Sequence, residues 1–329
     1  MNLSLFIITL VLLYSITCVI YVYRWRGQAR YPSLSQYLRK SWPVFAPLNC
    51  LLYMATKAKA RNAVLDAAYL KNIAVLRDNW PIIRDEALAL QATGAFEAIK
   101  TPGSVGYYDV GFRTFYKRGW SKFYLMWYGT THNSAKRLCP QTLALLKQVP
   151  GIQGAMFSVL PPGSELSLHS DPMASSLRYH LGLDTPNSAD CFINVDGIQC
   201  SWHNGQDFVF DETYPHYAKN NTEASRLILM CDVERPMNSF GRLFNLLYRF
   251  LIKGTLVPNT TEDKTGVFSA LFASLAPLSK SAQKLRSERR QLYKLLKLTL
   301  NTSLLATLFA VLFGFFSIFE AFFSSSILL

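Results

Sequence analysis

The sequence predicts an α+β protein in which a sandwich or jelly roll of short strands, with flanking helices, lies between two transmembrane helices. Three patterns predict this fold class: an uncharged apolar run near each end, helical spacing of apolar residues up to about residue 95, and short strand-like runs across residues 152–236. Regular punctuation of such runs by Gly and Pro is typical of a sandwich or jelly roll.

The composition indicates a membrane protein that faces anionic lipid. Half of the 329 residues are hydrophobic, only 17% are charged, and 34 Lys and Arg outnumber 21 Asp and Glu to give a net charge of +13. This hydrophobic content excludes a disordered chain, and the charged fraction is low for a soluble domain. Because a nucleic-acid-binding protein would rarely be so apolar, we expect no nucleic-acid partner.

The first apolar run extends over 21 uncharged residues, Leu3 to Tyr23, and Arg24 and Arg26 follow at once. About 20 apolar residues in a helix span the hydrocarbon core of a bilayer. A cleaved signal peptide is the alternative, but no basic residue precedes the run and no small-x-small site follows it. Residues 1–23 are therefore predicted to form an uncleaved transmembrane helix, and residues 24–60 a juxtamembrane segment.

A second uncharged run covers residues 298–319, and we take the predicted second transmembrane helix as residues 298–323. Basic residues precede this run between Lys280 and Lys297, and none follows it. A buried core helix is the alternative, but the run is apolar on all sides. Since positive flanks face the cytoplasm, both runs predict that residues 24–297 are cytoplasmic.

Between these runs, residues 61–237 are predicted to form one domain. Apolar spacing predicts helix over residues 62–95, with a start signal at Asn79-Trp80-Pro81. Runs at Met156–Leu160 and Leu177–Asp184 predict strands, and Asp196-Gly197 predicts a two-residue hairpin turn. Four further strands are predicted, at Cys191–Val195, Ile198–Trp202, Asp207–Asp211 and Arg226–Val233.

Residues 238–297 are predicted to form interfacial and basic helices. Residues 240–253 form a helix with one narrow polar stripe and an otherwise apolar surface, which favours the membrane interface. Residues 254–279 are predicted to be a polar loop, and residues 280–297 a basic helix.

The candidate metal site consists of His169, Asp171 and His216. His169-Ser170-Asp171 places two ligand side chains on the same face of an extended segment. With His216 they would form two imidazoles and one carboxylate, which occupy one face of an octahedral metal in non-haem Fe(II) oxygenases. A surface loop and a zinc hydrolase site are the alternatives at this point.

Two arginines add to this pattern. Arg226 follows His216 by ten residues on a predicted strand, and Arg178 shares one strand face with His180. A guanidinium remains charged when buried and offers a planar fork for a carboxylate. Since a buried charge without a partner costs several kcal/mol in order of magnitude, we expect both arginines to meet an anion. An exposed face or an internal salt bridge is the alternative.

Several motifs in this region resemble the aspartyl/asparaginyl β-hydroxylase family. They are Phe157–Gly163 (FSVLPPG), His169–Pro172 (HSDP), Leu177–Leu183 (LRYHLGL), Trp202–Gly205 (WHNG), Phe210–His216 (FDETYPH) and Ser225–Ile228 (SRLI). Further motifs resemble the bacterial lipid A 2-hydroxylase branch of the family: Ala46–Leu51 (APLNCL), Arg84–Leu90 (RDEALAL), Lys122–Tyr128 (KFYLMWY) and Cys231–Met237 (CDVERPM). The resemblance covers roughly residues 45–300.

This resemblance implies a double-stranded β-helix (jelly-roll) dioxygenase domain that uses Fe(II), 2-oxoglutarate and O₂. By match to the motifs, His169, Asp171 and His216 would hold the iron. Animal members lack the metal carboxylate, which Asp171 supplies here.

The resemblance also implies how the cosubstrate binds. Arg226 and Ser158 would bind the distal carboxylate of 2-oxoglutarate. Arg178 and His180 would contact its 1-carboxylate end.

The implied reaction is hydroxylation of the 2-position of a secondary acyl chain of lipid A, a component of lipopolysaccharide, at the anionic inner leaflet of a bacterial inner membrane. Three alternatives stay open at this stage: hydroxylation of another acyl lipid such as an aminoacyl lipid, peptidyl Asp/Asn β-hydroxylation, and a non-catalytic membrane scaffold.

Overall fold

The computed structural model describes residues 3–109, 111–112, 119–300 and 303, and the chain divides into two compact units, residues 1–270 and 271–329. The described helices are α1 (Leu3–Arg24), α2 (Leu34–Lys40), α3 (Ala46–Ala55), α4 (Ala74–Asp78), α5 (Trp80–Ala92), α6 (Ala95–Lys100), α7 (Asn133–Leu138), α8 (Pro140–Leu146), α9 (Ser239–Ile252) and α10 (Val267–Glu288).

Helix α1 matches the first predicted transmembrane segment. Within the described part of the chain, its residues Leu5–Arg24 form the one helix that is long and apolar enough to cross a membrane. Its inner side packs on α3, where Cys18 meets Ala46 and Cys50. The second predicted transmembrane helix, residues 298–323, falls almost entirely outside the described residues.

The region predicted as helix over residues 62–95 is only partly helical. Helix α5 begins at Trp80, as the start signal predicted. Upstream, however, Val64 and Leu65 form the short strand β1 (Val64–Leu65), which pairs with Val209 and Phe210 far along the chain. This long-range pairing overrides the local helical spacing, because tertiary contacts outweigh propensity.

The strands form a seven-stranded and a four-stranded antiparallel sheet across the described residues. After β1 they are β2 (Ser121–Trp127), β3 (Thr130–Thr131), β4 (Ile152–Leu160), β5 (Glu165–His169), β6 (Ser176–Asp184), β7 (Cys191–Val195), β8 (Ile198–Ser201), β9 (Asp207–Phe210), β10 (His216–Asn220) and β11 (Arg226–Glu234).

The order of these strands is that of a jelly roll. The large sheet runs β1-β9-β6-β11-β4-β2-β3 and the small sheet runs β5-β10-β7-β8. The eight strands β4 to β11 are thus divided equally between two sheets. The turn between β7 and β8 has positive φ at both Asp196 and Gly197, as the hairpin signal required.

The large sheet is buried on both faces. Its outer face packs on α5 and α8, with Leu177, Tyr179 and Leu181 of β6 in that cluster. Its inner face meets the small sheet in a second cluster around Trp202 and Phe210. Arg178 and His180 of β6 therefore face the space between the sheets, as the alternation of the strand predicted.

The C-terminal part requires one correction. The predicted polar loop over residues 254–279 is wrong from residue 267 onward, because α10 begins at Val267. Apolar residues at 267, 268, 271 and 275 give this segment helical spacing. Residues 290–300 of the second unit are also helical, in agreement with the predicted basic helix.

Candidate metal and cosubstrate site

The three predicted metal ligands lie together at one end of the small sheet. His169 ends β5, His216 begins β10, and the two residues are directly paired in register. Their ring centroids lie 4.2 Å apart, and His169 Nε2 lies 3.6 Å from Asp171 Oδ1. One ligand atom from each of the three residues falls within 4.8 Å of the others. Both imidazoles and the carboxylate can therefore reach a single ion.

Hydrogen bonds fix the tautomer of both imidazoles. Nδ1 of His169 lies 2.9 Å from the carbonyl oxygen of Ser167, and Nδ1 of His216 lies 2.9 Å from that of Tyr214. A carbonyl oxygen can only accept, so each Nδ1 must donate its hydrogen. The lone pair of each Nε2 is then free for a metal, an arrangement typical of metal-binding histidines.

The charge states fit a divalent cation. Burial lowers the pKa of His169, and burial together with the nearby His169 lowers the pKa of His216 to about 3, so both rings are neutral. Burial acts to raise the pKa of Asp171, but Arg178 and the two imidazoles hold it below its ordinary value. A neutral, neutral and anionic donor set is what Fe(II) accepts from two histidines and a carboxylate.

All seven predicted site residues line one cavity of about 490 Å³ between the two sheets. Such a volume suits a small ligand or a segment of a larger one. They are the three metal-site residues His169, Asp171 and His216, together with Ser158, Arg178, His180 and Arg226.

Arg226 is buried without a carboxylate partner among the described residues. Its side chain is 1% exposed, its Nε has no hydrogen-bond partner, and its guanidinium lies over the rings of Trp202 and Trp120. One amino group donates to Ser158 Oγ at 3.3 Å. Burial lowers the pKa of Arg226 to about 9. This guanidinium is thus ready to receive an anion from outside the chain.

His180 offers a second unused group in the same cavity. Its Nδ1 accepts a hydrogen bond from Trp202 Nε1 at 3.3 Å, so its hydrogen lies on Nε2. Burial and the neighbouring Arg226 lower the pKa of His180 well below its ordinary value, which keeps the ring neutral. Its Nε2 is buried and has no hydrogen-bond partner in the described part of the chain. A neutral N–H in this position can donate to an anionic ligand.

Arg178 differs from Arg226, because it already has protein anions. Its guanidinium pairs with Glu212, with Asp171 at 3.2 Å and with Asp232 at 3.0 Å. Burial opposes its ionisation, but these three carboxylates raise the pKa of Arg178. Arg178 therefore meets carboxylates, as expected. They belong to the chain itself, which is the internal salt bridge that the sequence left open as the alternative. Arg178 therefore orients the metal-site carboxylate Asp171.

Two of these carboxylates share an unfavourable environment. Burial raises the pKa of Glu212 to about 8, with Asp171 and Asp232 adding to the rise and Arg178 opposing it. Burial likewise raises the pKa of Asp232. The single guanidinium of Arg178 thus faces three acidic side chains, Asp171, Glu212 and Asp232.

Residues of the juxtamembrane segment also support the metal site, and the sequence had not indicated them. Tyr31 Oη lies 2.8 Å from Ser170 Oγ, between the two ligands His169 and Asp171. The Ser170 amide donates to the Lys40 carbonyl oxygen at 2.9 Å. Asn49 of α3 bonds both the Pro172 carbonyl oxygen and the Ala174 amide, each at 2.9 Å.

Arg26 connects the end of α1 to the segment that leads into His216. Its guanidinium pairs with Asp211 at 2.8 Å and donates to the carbonyl oxygen of Thr213 at 2.9 Å. It lies between the rings of Tyr53 and Tyr214, 3.9 and 3.6 Å from their centroids. In sequence Arg26 resembled only a cytoplasmic flank of the first anchor, because its partners lie some 185 residues away.

The other two of the five histidines, His132 and His203, do not line this cavity. His203 is half-buried and His132 is buried. Its ring stacks on Tyr124, and its Nε2 bonds the Val257 carbonyl oxygen at 2.8 Å. It is a structural histidine.

All six cysteines of the chain are free thiols. Most are buried.

Known proteins share this region of the chain. Residues 77–236 match the family described as aspartyl/asparaginyl beta-hydroxylase. An ornithine lipid ester-linked acyl 2-hydroxylase of Rhizobium tropici is 37% identical over 127 residues, which cover 38% of this chain and 45% of that protein. The human aspartyl/asparaginyl beta-hydroxylase is 30% identical over 176 residues, 52% of this chain and 22% of that protein. The chain thus spans less than half the length of these two curated relatives.

A crystal structure of a Pseudomonas putida prolyl-4-hydroxylase aligns with a TM-score of 0.37 at 17% identity, covering 56% of this chain and 99% of that one. That likeness is too distant to bear on activity. The match over residues 77–236, which include all seven site residues, and the curated relatives are the evidence for the family. Residues 77–236 of the chain belong to the aspartyl/asparaginyl β-hydroxylase family.

Proposed function

We propose that this chain is an Fe(II)- and 2-oxoglutarate-dependent dioxygenase that hydroxylates the 2-position of an acyl chain on a membrane lipid. One observation carries the proposal: two imidazoles with free Nε2 atoms, one carboxylate and an unpaired buried guanidinium line the same cavity. A hydrolytic zinc site would have no use for the unpaired Arg226. The family match supports a hydroxylase.

The metal would be held by Nε2 of His169, Nε2 of His216 and a carboxylate oxygen of Asp171. When bound, Fe(II) supplies the means to activate O₂ against an unreactive C–H bond, with 2-oxoglutarate as the source of electrons. The chain's contribution is geometric. The carbonyl oxygens of Ser167 and Tyr214 hold the two rings, and Arg178 holds the carboxylate.

The cosubstrate would be bound through its charge. Arg226 and Ser158 would take the distal carboxylate of 2-oxoglutarate, and the Nε2 hydrogen of His180 would be donated to the same molecule. The rings of Trp120 and Trp202 cover Arg226 and keep water from it, which strengthens its attraction for a carboxylate. We also propose that Arg178 contacts the 1-carboxylate end of 2-oxoglutarate, because Arg178 lines the same cavity.

Lipid A is the first candidate substrate, and an aminoacyl lipid is the second. Helix α1 and the exposed apolar face of α9 favour a lipid over a folded protein. The Rhizobium tropici relative, an ornithine lipid acyl 2-hydroxylase by name, supports an ester-linked acyl chain. A peptide substrate stays the alternative, because the human relative is by name an aspartyl/asparaginyl beta-hydroxylase. We place the enzyme in a bacterial inner membrane, with two spans and the catalytic domain on the cytoplasmic side.

Lipid mass spectrometry tests the proposal. Cells that express the chain should gain one oxygen on an acyl chain of lipid A or of an aminoacyl lipid, and cells that express His169→Ala or Asp171→Ala should not. The purified enzyme should need Fe(II), 2-oxoglutarate and O₂ together, whereas a zinc hydrolase would act without O₂. A lipid profile identical with and without the gene would contradict the lipid assignment.

A further inference from the structure

Helix α9 presents an uncovered apolar face. Its exposed side chains are Phe240, Leu243, Leu246, Leu247, Phe250 and Leu251, each between 54% and 77% exposed. At 3.6 residues per turn they fall within an arc of about 140° on one side of the helix. Six large apolar side chains on one helix face form a patch that a monomeric soluble surface rarely shows.

The opposite side of α9 is fixed to the catalytic domain. Gly241 and Asn245 are buried, and Asn245 donates to the carbonyl oxygen of Ser175 at 3.0 Å. A side chain at position 241 would collide with Met237. The helix is thus held in one rotational setting, and its apolar face is directed away from the domain by packing.

The C-terminal half of α9 also forms a wall of the catalytic cavity. Tyr248 and Ile252 line it, and the indole N–H of Trp127 lies 3.3 Å from the Ile252 carbonyl oxygen. Exposed residues at the end of α2 and just after it, Lys40 and Trp42 among them, line the same cavity. The cavity therefore opens at the surface beside α2, with α9 as another of its walls.

Charge and continuity identify what covers the apolar face. Arg242 is exposed on α9 beside the apolar arc, Lys253 is exposed directly after α9, and Arg39 and Lys40 are exposed on α2. These cations suit an anionic lipid surface. Helix α9 packs on α3, and α3 packs on the apolar helix α1. Helix α9 is thus connected through α3 to the helix that is long enough to cross a bilayer.

We infer that α9 lies in the membrane surface with this apolar face among the acyl chains, and that an acyl chain enters the cavity between α9 and the α2 end. The inference rests on the proposed lipid substrate and adds the route that the substrate takes. A lipid then reaches the metal site without leaving the bilayer, because one helix both touches the membrane and lines the cavity.

The location of α9 is tested with the full-length chain in nanodiscs of phosphatidylethanolamine and phosphatidylglycerol. Cys200 is changed to Ser, and the environment-sensitive fluorophore NBD is attached at Leu246→Cys or Phe250→Cys. The control is Leu88→Cys, which replaces an exposed leucine on α5, the helix that packs on the outer face of the large sheet. We expect blue-shifted emission and at least threefold stronger quenching by doxyl-labelled lipid at 246 and 250 than at 88.

Two results would overturn the inference. Labels on α9 that emit as in water would place the helix in solvent. Labels that are shielded from water but are not quenched by doxyl lipid would show that a protein surface covers the face.

The route is tested by activity. The double variant Leu246→Asp/Phe250→Asp should hydroxylate lipid A, added to the same nanodiscs, roughly tenfold more slowly than Leu88→Asp, with an unchanged KM for 2-oxoglutarate. Equal rates would contradict the route. The two proposals fail separately: quenched labels with no hydroxylated lipid in the wild type would reject the lipid substrate alone, and a hydroxylated lipid with α9 labels in water would reject the route alone.

Discussion

Arg226 is the residue whose chemistry is least explained by folding alone. It is buried beside two indole rings, and among the described residues no carboxylate balances its charge. An unpaired buried charge destabilises the fold, so its presence indicates a ligand. Arg178, which lines the same cavity, shows the contrast, since it pairs with three acids.

Replacing Arg226 by Met should raise the KM for 2-oxoglutarate roughly 100-fold, because charge-assisted hydrogen bonds contribute about 1.5–3 kcal/mol each. Arg226→Lys should raise it less, and Ser158→Ala by several-fold only. Turnover of 2-oxoglutarate to succinate at varied concentration measures this. Without cosubstrate, Arg226→Met should not lower the thermal unfolding midpoint. An unchanged KM in this variant would remove Arg226 from the cosubstrate site.

Asp211 gives a pH dependence with a definite sign. Burial acts to raise its pKa, but Arg235 and Arg26 hold the pKa of Asp211 well below its ordinary value. Above about pH 3.9, the unfolded-state pKa of an aspartate, Asp211 contributes fully to the stability of the fold. Below that pH the unfolded chain takes up a proton that the folded chain refuses, and stability declines until the folded pKa is passed.

Asp211→Asn should therefore lower the thermal unfolding midpoint by roughly 10 °C near neutral pH, since breaking a buried ion pair costs about 3–5 kcal/mol. The difference from the wild type should be constant from pH 7 to about 5 and should shrink below pH 4. Thermal scans in detergent across this range measure it. A difference that grows on acidification would contradict the sign.

At the scale of elements, the segment between α1 and α3 acts as a support for the metal site. Tyr31 reaches Ser170, the Lys40 carbonyl oxygen receives the Ser170 amide, and Asn49 holds the chain just after Asp171. Burial raises the pKa of Tyr31 to about 12, so its hydroxyl keeps its proton at neutral pH. The segment between α1 and α3 thus helps to hold the two proposed metal ligands His169 and Asp171 at a fixed spacing.

Tyr31→Phe should weaken metal binding roughly tenfold, because groups that orient metal ligands typically contribute that much. The ring contact with Tyr37 is kept, so thermal stability should change little. Titration of the apo-enzyme with Co(II), followed by ligand-field absorption, measures the affinity. Tyr69→Phe, at an exposed tyrosine, is the control. Equal Co(II) affinity in both variants would show that Tyr31 only packs.

At the scale of the whole molecule, the apolar helix α1 and the jelly roll are joined by contacts and not only by the chain. Arg26 lies two residues beyond α1 and is buried against Asp211 and Thr213. The amides of Gln28 and Ala29 donate to Asp196 at 2.8 Å. The segment that leaves the apolar helix is thus part of the domain core.

Two truncations separate anchoring from support. Removal of residues 1–24 keeps Arg26 and Tyr31, so metal binding should stay within a few-fold of the full-length chain in detergent. Removal of residues 1–32 also deletes both supports and should weaken Co(II) binding roughly 100-fold. The same ligand-field titration compares them. Similar affinities in the two truncations would mean that residues 25–32 serve only as a tether.

Much of the fold was accessible from local pattern. The strands β4, β6, β7, β9 and β11 were predicted because buried strands are largely apolar runs between turn signals. The more exposed β8 was predicted because it follows the Asp196-Gly197 hairpin signal. β5 and β10, which carry the two histidine ligands, were not predicted as strands, because their side chains are polar or only partly buried. β1 was missed because its pairing partner is some 145 residues away.

By itself the sequence determined which residue types the site contains and which strand face they occupy. Both are local properties, because side chains alternate between the two faces of a strand and a motif is a short stretch of sequence. The sequence also determined the apolar character of α1 and α9. Only the tertiary structure decided that Arg178 is internally paired while Arg226 is not, and that Arg26, Tyr31 and Asn49 support the ligands. Those facts depend on contacts between residues that are far apart in the chain. Such contacts form only when the chain packs into its tertiary structure, so no local sequence pattern encodes them.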